Sequence, residues 1–475
     1  MTVRWFCGRK RRPEISYKPS EVAMRKRLIT MLAAVVLALP LIGAAEPPPE
    51  AVSTFTYTKN MHPMGFTARA VPPVGEGAGR FNSDLAFWGR TAYQGNYNGF
   101  RIIDISEPDN PVQLINYDQC RGDQGDVLVW NNLLIRSWNS PAPAGATCDG
   151  QPVEQGFEGL HIFDVSNPAD PGLIGSVRMA ADTTPAGCGS HTATLVPDAA
   201  RGNLYVYNSG SSGNCPGIDI VKIPLNDPSA ATFLRREPSG RSCHDTGVIL
   251  GKVNLVACAG GNGFTVWSID PSIDAPAAGS LEDPTQLYSR SVPGVTIGHS
   301  AAFTWDGQVL VFGHEPGGGS QARCQATSGV TDRTLFFFAA RTGEPVGSFV
   351  HPRPQTSTEN CTWHNYNVVP SGKRYVLVSA GYQSGTSVLD FTDPANAREI
   401  AFADPAPLVH PTNPNGIVLG GDWSTYWYNG RIYESDITRG LITWKLSDRA
   451  VAGAKRFGHL NPQTQETSFS VRVTP

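Results

Sequence analysis

A strand–turn–strand pattern that returns along the chain constrains the fold more than any other feature of this sequence. The stretch "GFRIIDISEPDNPVQLINY", from Gly99, matches "GLHIFDVSNPADPGLIGSV", from Gly159, nearly position for position. Looser copies are "GIDIVKIPLNDPSAATFLRR", "GFTVWSIDPSIDAPAAG", "GTSVLDFTDPANAREIAF" and "GLITWKLSD". Each opens with Gly and alternates apolar and polar residues, as a strand does. Each then breaks at an Asp/Ser/Pro turn, where proline fixes φ and ends pairing. A second pattern sets a histidine ahead of a strand, a turn and another strand. It occurs in "GSHTATLVPDAARGNLYVYN", "CHDTGVILGKVNLVACAGG", "GHSAAFTWDGQVLVFGHE" and "WHNYNVVPSGKRYVLVSAG".

Joined, the two patterns give one unit: strand A, turn, strand B, loop, Gly-led strand C, Pro turn, strand D. Aligning the A–B turns places unit starts at Asn82, Gln124, His191, His244, His299, His364 and Asp422, roughly 40 to 70 residues apart. Four strands repeated seven times predict an all-β chain, a seven-bladed β-propeller of four-stranded antiparallel blades. The fifth unit, "RTLFFFAARTGEPVGSFV", lacks both the Gly and the Asp-Ser-Pro turn but keeps two strands. Composition agrees: 50 Gly, 38 Pro and only 17% charged residues in 475 favour a turn-rich β protein. A net charge of −3 leaves no basic footprint, so nucleic acid is excluded as a partner.

The Gly-led strands with their "D-[IV]-S-x-P-x-x-P" turns resemble the LVIVD-repeat family of secreted β-propeller proteins, over roughly residues 80–450. The match is close in units one, two and six and looser elsewhere. What the resemblance implies is the fold and export, with no particular reaction. Function has to be argued from the site.

Export is also expected from "MRKRLITMLAAVVLALPLIGAAE", which begins at Met24. It carries a basic start, an apolar stretch too short for a comfortable span, and small residues before a cut after Ala45. Residues 1–45 therefore read as a signal peptide, with Met1 or Met24 as initiator. Residues 46–79 read as an N-terminal extension, 80–460 as the propeller and 461–475 as a C-terminal tail. No membrane span is expected after cleavage, and no cysteine follows the cut to suggest a lipoprotein. The outer strand of the last blade is expected from "AKRFGHL" or from "AVSTFTYTKN", and His62 is placed over a channel opening.

In an oxidising compartment the eight cysteines after the signal are read as disulfides. Their places relative to the blades predict Cys120–Cys148, Cys188–Cys215 and Cys243–Cys258 within units, and Cys324–Cys361 across adjacent ones. No CxxC pair points to redox or zinc-ribbon chemistry.

In a propeller, strand A lines the central channel, so the aligned unit starts form a ring of seven polar side chains, four of them imidazoles. Neutral imidazole is a common nitrogen ligand for transition metals. His191, His244, His299 and His364 are therefore the candidate ligands of one divalent transition metal ion, which would be copper, manganese or zinc. Gln124 and His314 are auxiliary ligands. Strand B ends where strand A begins, which brings His314 and Glu315 to the same face. Tyr366, Glu315 and Asp84 are the candidate acid–base residues. The alternative for each histidine is a hydrogen bond to a neighbouring blade or to channel water. "GHSAA" at 298–302 imitates a hydrolase elbow, but its strand–turn–strand context argues against a serine hydrolase.

The reading adopted is a secreted or periplasmic metal-dependent enzyme acting on a small-molecule or glycan substrate. Two chemistries suit it: a lyase on a sugar acid, whose His-plus-Gln ring is similar to that of propeller oligogalacturonate lyases, or an oxidoreductase resembling the propeller oxidases of small sulfur compounds. The alternative is a non-catalytic cell-surface propeller that binds a protein or a glycan.

Overall fold

The computed structural model describes residues 50–69, 81–179, 188–210, 216–274 and 276–467. The expected signal peptide lies outside the described residues. Seven sheets of four antiparallel strands follow one another in the order that the repeats predict. Their inner strands are Asn82–Trp88, Val127–Trp130, Thr192–Asp198, Thr246–Leu250, Gly298–Phe303, Asn365–Val369 and Asp422–Tyr428. These define blades 1 to 7, and all seven contribute residues to one central cavity.

Every pair of adjacent blades packs around its own apolar cluster. Phe264 of blade 4 meets Phe312 and Phe338 of blade 5 in one. Leu85 and Phe87 of blade 1 meet Tyr426 and Tyr428 of blade 7 in another. Because each sheet is covered on both faces, the second and third strands carry long apolar runs as well as alternation.

The recurrent glycine has a steric cause. A Cβ on Gly99, Gly159, Gly217, Gly263, Gly385 or Gly440 would lie only 1.9–2.2 Å from a carbonyl oxygen of the neighbouring outer strand. The third strand can begin beside the fourth only where the side chain is missing. Blade 5 starts its third strand with Thr334 instead, and its outer strand pairs from Val350. The Asp of the repeat caps the turn that follows: Asp104 accepts from Ser106 N at 2.8 Å and Asp164 from Ser166 N at 2.9 Å.

The last blade closes differently from either expectation. Its outer strand is Met61–Ala68, paired antiparallel with Gly440–Leu446. "AVSTFTYTKN" instead supplies Thr56–Tyr57, a fifth strand on the edge of blade 6. "AKRFGHL" contains the short 3-10 turn Ala454–Arg456. The N-terminal extension is thus partly blade, and His62 lies on an outermost strand, bonded to Ser447 Oγ at 2.6 Å, far from any role at the channel. Three expected disulfides are present, Cys120–Cys148, Cys243–Cys258 and Cys324–Cys361. The fourth would use Cys215, which lies outside the described residues.

Besides Asp436, blade 7 holds two further carboxyls with no solvent exposure, Asp422 and Glu434. They share the hydroxyl of Thr386, which lies 2.8 Å from Asp422 and 3.2 Å from Glu434, and Trp444 Nε1 donates to Glu434 at 2.7 Å. Burial first, then the charge of Asp436, raises Glu434 to about 8, with Arg439 opposing. Burial and Glu434 likewise hold Asp422 well above the ordinary carboxylate range.

Two outcomes are expected from these contacts. Gly263→Ala should destabilise the fold by about 1–3 kcal/mol in urea titration. Gly240→Ala, where nothing lies within 4 Å of the added carbon, should not. The folded value of Glu434 lies above its ordinary 4.5, so its stabilisation is complete below that pH and is lost as pH rises through about 8. Glu434→Gln should therefore flatten the fall in Tm measured between about pH 6 and pH 9.

Candidate metal centre

The four histidines meet at the channel mouth where the inner strands begin. Ring centroids are 4.6 Å apart for His191 and His244, 3.9 Å for His244 and His299, and 4.2 Å for His299 and His364. His244, His299 and His364 are buried, while His191 is half-buried and faces the entrance with Gln124, Asn139 and Tyr97.

Each ring is held from outside by its Nδ1. His191 Nδ1 lies 3.0 Å from Asn139 Oδ1 and His244 Nδ1 3.0 Å from Asp245 Oδ1. His299 Nδ1 lies 2.7 Å from Ser300 Oγ and 3.3 Å from Asp245 Oδ2. His364 Nδ1 lies 2.7 Å from the Trp423 carbonyl. Three of these partners accept only. Ser300 Oγ is free to accept as well, because it donates to Asp245 Oδ2 at 2.7 Å. Nδ1 therefore carries the proton in all four rings, and the Nε2 lone pair is left for the centre. His191 Nε2 and His244 Nε2 face each other at 3.1 Å, where two bare lone pairs repel unless a proton or a cation lies between them.

Glu315 completes the group. Its carboxylate and the ring nitrogens of His244 and His299 lie within 4.8 Å of one another, with Oε2 3.9 Å from His299 Nε2. Tyr382 donates to Oε1 at 2.7 Å. Tyr382 adopts a φ of +48°, held there by paired backbone bonds to Asp422 of 3.0 and 2.8 Å. Such a backbone is uncommon for a bulky side chain and marks an enforced position.

Burial fixes the charges. It lowers His191 to about 3 and His364 to about 4, and puts His299 well below the usual range, so these rings are neutral. Burial also works against a charge on His244, yet Asp245 and Glu315 raise it. Asp245, half-buried, is held below the usual carboxylate range by His299 and His244 against the cost of desolvation. Burial raises Glu315, with His244 and Tyr382 opposing.

The other expected residues fall elsewhere. Gln124 Nε2 is 3.3 Å from His191 Nε2 and its amide oxygen faces Tyr97, so it adjoins the ring as a donor. His314 points away, its Nε2 2.7 Å from the Thr331 carbonyl. Tyr366 donates to the carbonyls of Ser300 and Val311, which makes it a clamp between blades 5 and 6. Asp84 lies deeper in the channel, bonded to Tyr426 Oη at 2.9 Å and Gln463 Nε2 at 3.0 Å, and burial raises it to about 6. Ser300 sits mid-strand, so no hydrolase elbow forms.

Asp245, Asn139 and Tyr382 were missed by alignment of the inner strands. Asp245 had a signal, since it adjoins His244 in "CHD". Alternation sends neighbours to opposite faces only inside a strand, however, and the strand starts at Thr246.

The LVIVD repeat profile matches residues 80–119 and 156–179, which are blade 1 and the outer half of blade 2. The chain is a seven-bladed propeller that carries LVIVD repeats in these two blades. Among solved structures it is similar to the Cps50 (Swd1) β-propeller domain of Myceliophteria thermophila, at 11% identity over 77% of this chain and 96% of that one, TM-score 0.47. It is also similar to the Dos1 propeller, at 10% identity over 81% and 82%, TM-score 0.47. The computationally designed Ika8 protein matches at 12% identity over 78% and 98%, TM-score 0.42. No curated protein matches this chain in sequence.

Asp245→Asn should lower the pH at which His244 titrates, as read from its imidazole proton resonance, because the raising charge is removed. Tyr366→Phe should cost about 1 kcal/mol of stability in urea titration and leave the titrations of the ring histidines unchanged.

Proposed function

We propose that the channel mouth is a metal centre and that the protein is an exported, metal-dependent oxidoreductase acting on a small uncharged molecule. The observation that carries this reading is the pinning of all four rings at Nδ1, with ring nitrogens of His244 and His299 and the Glu315 carboxylate gathered within 4.8 Å of one another. Hydrogen-bonded Nδ1 is the usual support of a ligating histidine, since it fixes the tautomer and the ring plane.

His191, His244, His299 and His364 would hold the ion. Ligands at about 2.0–2.1 Å from one ion are compatible with the 3.1 Å between His191 Nε2 and His244 Nε2. A bound divalent ion would supply Lewis acidity or electron transfer to a molecule beside it. Glu315, oriented by Tyr382, would accept a proton at Oε2. Gln124, Asn139 and Tyr97 would offer hydrogen bonds to an incoming molecule at the half-buried rim.

Charge and size favour the oxidoreductase over the sugar-acid lyase. The cavity lining includes Asp84, Asp126 and Asp245 but neither Lys nor Arg, so a carboxylate substrate would find no cation besides the ion. The cavity is about 80 Å³, room for a few waters or a comparably small molecule. Export is supported by the disulfides, which persist in oxidising compartments. Among the described residues no helix is long and apolar enough to cross a membrane.

Elemental analysis of protein purified without chelators should find close to one transition metal ion per chain. His244→Ala combined with His299→Ala should abolish it, and Asp245→Asn should weaken it ~10–100-fold. Tyr366→Phe should keep it. Protein that stays metal-free after dialysis against micromolar copper, manganese and zinc would sink the reading.

A further inference from the structure

The C-terminal segment was expected to be a tail outside the propeller. Instead, residues 459–467 cross the turn-side mouth of the channel, opposite the histidines, and bond to all seven blades. His459 N donates to Asn429 of blade 7 at 2.6 Å, and its ring nitrogen lies 3.0 Å from the Gly89 carbonyl of blade 1. Asn367 of blade 6 donates to the Pro462 carbonyl at 3.0 Å. Gln463 Nε2 reaches Asp84 of blade 1 at 3.0 Å and the Val127 carbonyl of blade 2 at 2.8 Å. Thr464 Oγ1 donates to the Leu195 carbonyl of blade 3. The amide of Gln465 both accepts from Phe303 N at 3.0 Å and donates to Phe303 O at 2.6 Å, taking the part of a peptide group beside blade 5. Gln465–Glu466 then pair in parallel with Ile249 and Leu250 of blade 4, and Thr467 N donates to Leu250 O at 2.8 Å.

We propose that the turn-side mouth is a peptide-binding site, which the chain fills with its own residues 459–467. The recognised ligand is an extended segment with carboxamide side chains two positions apart, taken up by strand addition to the inner edge of blade 4. In any propeller the inner strands leave backbone groups facing the axis with no fifth strand to satisfy them. Here carboxamides and one hydroxyl answer those groups, at Phe303, Val127 and Leu195. Pro462, Gln463 and Gln465 also line the cavity that the histidines open onto. Filling this site therefore leaves the cavity a single mouth, on the histidine face. This inference stands on backbone and amide contacts and does not rest on the metal reading.

The test begins with the folded full chain carrying a protease recognition sequence inserted between Gly458 and His459, where the backbone is partly exposed. After cleavage the C-terminal peptide should co-elute with the body on size exclusion and be displaced by excess synthetic peptide of residues 459–467. In the Gln463→Ala/Gln465→Ala version it should separate. A peptide that leaves at once while the body keeps its β circular-dichroism spectrum would overturn the proposal. If the cut body unfolds, deuterium exchange on the uncut Gln463→Ala/Gln465→Ala chain decides. Uptake in segments holding Phe303 and Ile249–Leu250 should rise at least tenfold, with outer strands unchanged, and unchanged inner-strand uptake would refute the site.

Discussion

Four imidazoles can share a few ångströms only because each rides at the start of an inner strand and seven inner strands meet at one axis. That meeting depends on how closely strands pack within each blade. The glycines at the starts of the third strands let the outer strands approach to where a Cβ would strike a carbonyl oxygen. Disulfides then fix the loops that deliver the histidines. Cys243 immediately precedes His244 and is tied to the second strand of its own blade, while Cys361 ties the segment before His364 to the loop after His314. Loop closure of this kind is typically worth ~2–4 kcal/mol per bridge, and it is concentrated on the face that carries the chemistry.

The electrostatics of the channel are graded along its axis. At the mouth one carboxylate, Asp245, stays ionised because two imidazoles and Ser300 surround it. Further in, burial raises Asp84 to about 6, and burial with the charges of Asp84 and Asp245 raises Asp126 well above the ordinary carboxylate range. A cation drawn to the mouth would thus meet fixed negative charge where the imidazole lone pairs are, with Asp126 contributing less of it deeper down. An ion at the histidines, as proposed, would meet no opposing basic residue in the lining, which contains neither Lys nor Arg.

The fold was legible because propeller repeats write their turns into the sequence. The "D-[IV]-S-x-P" turn and the leading Gly both answer local steric demands, so they survive even in degraded copies such as "GLITWKLSD". Alignment of the A–B turns then located the four histidines at the inner-strand starts, and the end of the second strand located Glu315. What the alignment could not supply was the loop residues that do not share the aligned positions. Asp245 precedes its strand, Asn139 and Tyr382 follow strand ends, and alternation says nothing of where such residues point. Tyr366 shows the opposite failure. It lies in register and faces the axis side, but its length carries the hydroxyl across to carbonyls of the adjacent blade. His314, at a strand end, turns instead to the Thr331 carbonyl.

The termini were the least legible part, and the reason is physical. A strand that closes a ring pairs with a partner from the far end of the chain, so nothing in its neighbourhood announces it. Met61–Ala68 contains a Pro and a Gly that read as a turn, and the strand tolerates them by a shift of register between Pro63 and Gly65 on an outer edge. The segment after Leu460 has even less strand character, because most of its bonds to the blades are made by side-chain amides and a hydroxyl. Yet these two stretches decide whether the ring is closed and whether its channel has one mouth or two. A propeller that ended at its seventh blade would expose the inner-strand carbonyls of Val127 and Leu195 to water in the channel. Covering them with carboxamides keeps the bottom of the cavity polar, so that among the described residues the groups left to meet an incoming molecule are those at the histidine face.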